Sequence, residues 1–81
     1  MRTITNSDTG FGRWAIDELL ERYVSWCEEC HAVWHAYQRW IDCERSERRL
    51  AFAGYLAALD REECAAQTYA QQIKHVRSIL T

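Results

Sequence analysis

Asp42-Cys43-Glu44-Arg45-Ser46-Glu47-Arg48-Arg49 is polar throughout except for Cys43, and it separates two long apolar-periodic segments. Ser46 with Glu47 behind it reads as a fresh helix N-cap with an acid in the first turn. The stretch has no Gly or Pro, so the decision rests on phase. Continuing the row Ile16, Tyr23, Cys30 and Tyr37 by sevens gives Ala51, Ala58, Ala65 and Gln72, whereas the more apolar stripe, Phe52, Leu59, Ala66, Ile73 and Leu80, is displaced by one residue. A slip of this kind predicts a chain reversal and not one continuous rod.

Upstream, nothing from Arg13 to Asp42 breaks a helix. Beside the first row run a second, Leu19, Trp26, Val33 and Trp40, and a third, Leu20, Cys27, Trp34 and Ile41. Three adjacent rows form a stripe wide enough for two neighbours. The opposite face, with Glu18, Glu21, Ser25, Glu28, His35 and Asp42, is expected in water. Downstream, Phe52 heads the apolar stripe, flanked by Tyr55, Tyr69 and Val76, and Leu50 to Leu59 is apolar nearly all round. The alanines there and Gly54 would let another helix approach closely.

The expected fold is therefore all-α: two long antiparallel helices, about 13–42 and 47–80, joined by a turn at about 43–46. Residues 1–12 would form a flexible segment in which Asp8 or Thr9 caps the first helix. Closure near 43–46 sets residue i roughly opposite 89 − i. A lone hairpin leaves the third row and one side of Leu50 to Leu59 uncovered, which predicts dimerisation into a four-helix bundle or association with another helical protein. The contact residues would be Trp26, Trp34, Trp40, Ile41, Phe52, Tyr55 and Leu56.

The composition excludes several function classes. Among 81 residues, ten basic and twelve acidic side chains leave a formal charge of −2, which disfavours nucleic acid as a partner. The tryptophans and tyrosines also lack the interleaved basic residues of a base-stacking surface. No apolar run approaches the roughly 18 residues of a membrane span. The N-terminal residues lack the apolar core of a secretory signal, so a cytoplasmic location with reduced thiols is expected. Small chains bury proportionally little surface, and 48% hydrophobic residues with no proline suit a helix that completes its core with a partner.

Three constellations carry possible chemistry. Cys27-Glu28-Glu29-Cys30-His31 matches the C-x-x-C-H of c-type haem attachment, but that chemistry needs export and both cysteines fall in mid-helix on the apolar stripe. The same position, well inside a helix, disfavours a thioredoxin-like redox pair. Glu62, on the second helix at the level of Cys27, stands where Leu or Ala would be expected, so Cys27, Cys30 and Glu62 form a candidate zinc or iron layer. Glu28, His31 and His35 are a second candidate set in E-x-x-H-x-x-x-H spacing, on a face expected to be solvated. No nucleotide-binding loop, nucleophile elbow or H-E-x-x-H occurs, and the expectation is a non-enzymatic protein that works by helix-helix association, with a metal-binding bundle as the competing reading.

Overall fold

The computed structural model describes the backbone of residues 2–80 and the side chains of residues 12–80. The chain forms two antiparallel helices, α1 (Arg2–Asp42) and α2 (Arg48–Leu80), joined by a short 3-10 turn at Arg45–Glu47. At 1.5 Å per residue they span about 60 and 50 Å, and the hairpin measures 68 × 16 × 12 Å.

The reversal is built without glycine or proline. The Cys43 N–H still bonds the Arg39 carbonyl at 3.0 Å, and the Cys43 thiol donates to the Trp40 carbonyl at 3.2 Å, satisfying one of the acceptors a helix end leaves open. Glu44 then adopts an extended backbone, φ −70° and ψ 157°, which turns the chain, and the Glu47 N–H closes the 3-10 turn on the Glu44 carbonyl at 2.9 Å. Ser46, the expected N-cap, lies inside this turn. Glu44 occupies the cap position with no side-chain cap bond.

At the other end α1 begins at Arg2, so the segment 2–12 continues the helix where a flexible lead-in capped at Asp8 or Thr9 was expected. Gly10 and Gly12 each cost a helix roughly 1 kcal/mol relative to alanine but do not block it as proline would.

The seam is narrow. Among the described residues only Ala15, Ala58 and Val76 are buried apolar side chains. From α1 it takes the second row, Leu19, Trp26, Val33 and Trp40, all half-buried. From α2 it takes Ala51, Ala58, Ala65 and Gln72 together with Tyr55, Glu62, Tyr69 and Val76. This corrects the expected stripe at its two ends: Phe52 and Leu80 are 39% and 70% exposed, whereas Leu59, Ala66 and Ile73 are half-buried and the expected flanking residues Tyr55, Tyr69 and Val76 face the seam. Side-chain volume explains the choice. Two α1 tryptophans already fill the space between the helices, and a row of small residues lets the α2 backbone approach them.

The register follows the sequence expectation closely. Trp26 meets Glu62, Glu29 meets Arg61 and Ala15 meets Gln72, each within about two residues of the 89 − i rule.

Candidate functional site

Two aromatic clasps hold the hairpin shut. In one, Trp26 stacks on Tyr69 (centroids 5.6 Å apart, planes 16°) with Tyr23 against the same ring at 5.6 Å. In the other, Trp40 stacks on Tyr55 (5.6 Å, 15°) with Tyr37 against Tyr55 at 5.7 Å and Phe52 against Trp40 at 4.8 Å. The clasps are related by a shift of two heptads along each helix: Tyr23 and Trp26 recur as Tyr37 and Trp40, and Tyr55 recurs as Tyr69. The repeated Y-x-x-W is a signal of this arrangement visible in the sequence. Of the seven expected contact residues, the clasps use Trp26, Trp40, Phe52 and Tyr55 within the hairpin, Phe52 keeping 39% of its surface exposed.

The clasps also divide the surface. On their side lie the third row of α1, where Leu20, Trp34 and Ile41 are 57%, 58% and 49% exposed, and on α2 Phe52 and Leu56. Tyr23, Val24 and Tyr37 add to this face; its rows Leu20-Cys27-Trp34-Ile41 and Phe52-Leu59-Ala66-Ile73-Leu80 carry no charge, whereas Leu56 and Ala70 share their row with Arg49, Glu63 and Arg77. On the opposite side Arg61 bonds Glu29 at 3.4 Å and Arg22 pairs with Glu18 at 2.6 Å. That side also holds an open groove of about 760 Å³ near the turn, floored by small residues such as Ala32, Ala36, Gly54 and Ala57 and edged by Arg39 and Arg61. The hairpin is amphipathic as a whole, with an aromatic-aliphatic face and a charged face.

The candidate metal layers are placed as follows. Cys27 and Cys30 are half-buried and one turn apart, and Glu62 enters the same level. Its Oε2, however, accepts a 2.7 Å hydrogen bond from the Trp26 indole N–H. Desolvation, then the negative charge of Glu62, then Cys27 push the Cys30 thiol above its ordinary pKa, which disfavours the thiolate a metal would take. Tyr23 is likewise raised, first by its hydrogen bond with the Cys27 side chain and then by that neighbour's charge. Glu28, His31 and His35 are all exposed, with the imidazoles 6.1 Å apart and His35 edge-on to Trp34 at 5.2 Å. Among the described residues no group of three or more His, Cys, Asp or Glu side chains is arranged to hold a metal ion. All four cysteines are free thiols.

Among the described residues no helix is long and apolar enough to cross a membrane. Compared with known proteins, the chain matches no family model, no curated protein and no solved structure.

Proposed function

We propose that this chain is a non-enzymatic helix-association protein whose partner is a second copy of itself, two hairpins closing into a four-helix bundle. The observation that carries the reading is the inverted distribution of apolar bulk: among the described residues Ala15, Ala58 and Val76 are buried, while Leu20, Trp34, Ile41, Phe52 and Leu56 stand 39–58% exposed on one side of the hairpin. Monomeric soluble proteins seldom expose a contiguous apolar patch of that kind.

Area supports a second copy as the occupant. Tyr23, Val24 and Tyr37 bring the face to eight large side chains, each roughly half exposed. At on the order of 100 Å² apiece they offer about 800 Å², the contribution of one partner to an interface of standard size. Two such faces cover each other without any further sequence, and the side of the Arg61–Glu29 and Arg22–Glu18 pairs remains outside in water.

Light scattering at micromolar concentration tests this. The expected mass is twice the chain's 9.6 kDa, falling to the monomer in Trp34→Glu. A folded, monodisperse monomer of the unaltered chain overturns the homodimer and moves the face to a different helical partner.

A further inference from the structure

We infer that the second copy stacks head to tail, with α1 against the partner's α1 running antiparallel and the two turns at opposite ends of the bundle. The inference rests on the self-association reading above and supplies its geometry. Two face-to-face arrangements satisfy a two-fold axis: turns together, with α1 against the partner's α2, or turns apart, with each helix against its own copy. Two independent gradients along the hairpin distinguish them.

The first gradient is bulk. Toward the turn the apolar face is bulky on both helices, with Trp34 and Ile41 on α1 and Phe52 and Leu56 on α2. Toward the open end α1 still offers Leu20 and Tyr23, whereas α2 is small at Ala66 and Ala70 before Ile73 and Leu80 at its end. With turns together, Trp34 would meet Leu56 near the turns while Leu20 and Tyr23 would fall on Ala70 and Ala66 in the open half, so the layers would stand further apart at the turns. With turns apart and the helices fully overlapped, Leu56 falls between Ala66 and Ala70 of the partner's α2, large on small, and Phe52 beside Ile73, so neither end of the bundle collects all the bulk.

The second gradient is charge. Residues 30–59, the turn half, carry four arginines against three acids, a balance of +1. Residues 12–29 and 60–80, the open half, carry five basic against eight acidic side chains, a balance of −3. Turns together would place like halves side by side, whereas turns apart bring each basic turn to an acidic open end.

Full overlap also fixes the register. Leu80, the last described residue of α2, stands at about the level of residue 9 on α1, and the turn stands at about 44. The level midway is that of Cys27, on the apolar face, so the axis passes beside Cys27 and its own copy.

The test uses the full chain with a spin label carried by a bioorthogonal amino acid at Ser46, the four cysteines untouched, together with its mass in solution. Turns apart separates the two labels by about 50 Å, from some 35 residues of helix at 1.5 Å each. Turns together holds them within about 20 Å, two helix spacings. A dimer with the long distance is expected. A dimer with the short distance overturns the head-to-tail geometry and leaves self-association standing, whereas a monomer overturns self-association itself. Mild oxidation of the unlabelled chain reads the register: a disulfide-linked dimer lost in Cys27→Ser is expected, and a dimer that does not link overturns the placement of the axis at Cys27.

Discussion

The Trp26–Glu62 hydrogen bond places a carboxylate on the seam between the helices, where an aliphatic side chain would otherwise sit. The indole N–H is half-buried, and its 2.7 Å bond to a charged oxygen compensates the desolvation of both groups. Glu62→Ala leaves that N–H without an acceptor and opens a gap beside a stacked ring, so urea unfolding is expected to show a loss of about 1–3 kcal/mol. Glu62→Gln keeps an acceptor oxygen in the same place and is expected to cost less than about 1 kcal/mol. The same carboxylate is one of the causes that raise the Cys30 thiol, after desolvation. The sign follows directly: a negative neighbour disfavours the thiolate, so neutralising it in Glu62→Gln lowers the pKa of Cys30 toward the ordinary thiol value. The pH midpoint of Cys30 alkylation, followed by mass spectrometry, should move down in that variant. An unchanged midpoint would show that the Glu62 charge does not reach the sulfur.

Within the helices, packing is decided by which side chains fit against two tryptophans, and this marks where sequence reasoning succeeds and where it stops. Periodicity shows that α1 and α2 exist and roughly where they meet, because rows at heptad spacing are a property of each helix alone. The polar run around Glu44 likewise announces the reversal. Hydrophobicity found the inward side of α2, with Tyr55, Tyr69 and Val76 on it, but not its centre. Phe52 is more apolar than Ala51, yet Ala51 is closer to the seam, because the choice depends on the volume of Trp40 across it. The turn capping was equally out of reach, since an extended Glu44 and a Cys43 thiol on the Trp40 carbonyl do what Ser46 was expected to do. Two substitutions on α2 separate seam from surface. Ala58 is fully buried, so Ala58→Leu forces the helices apart and is expected to cost about 1–3 kcal/mol. Gly54 borders the charged-side groove, and a Cβ added there meets nothing within 4 Å. Gly54→Ala is therefore expected to stabilise by roughly 1 kcal/mol through helix propensity alone, with the oligomeric mass unchanged. Thermal melts of the two variants check both signs. A loss of stability in Gly54→Ala would mean that a helix occupies the groove and that the wrong face has been assigned to the partner.

A molecule 68 Å long and 16 Å wide cannot surround a core, and two clasps with the three aliphatic residues buried among the described ones are little to set against the conformational entropy of two long ordered helices. The exposed face is thus tied to stability as well as to association: if a second copy covers it, folding and pairing are one equilibrium. Mass action then makes the melting temperature rise with protein concentration, because the folded dimer draws on two unfolded chains. Circular dichroism melts across a hundredfold range of concentration are expected to show an upward drift in the unaltered chain. In Trp34→Glu, which sets a charge at the centre of the face and away from the clasps, the drift should vanish and the melt should fall to the lower value of a lone hairpin. Trp40→Ala is the contrasting case. It removes the ring that stacks on Tyr55 and packs on Phe52, so it should lower stability at every concentration while leaving the slope intact. Melts of the unaltered chain that do not move with concentration would mean that the clasps alone carry the fold and that the apolar face serves neither folding nor pairing of like chains.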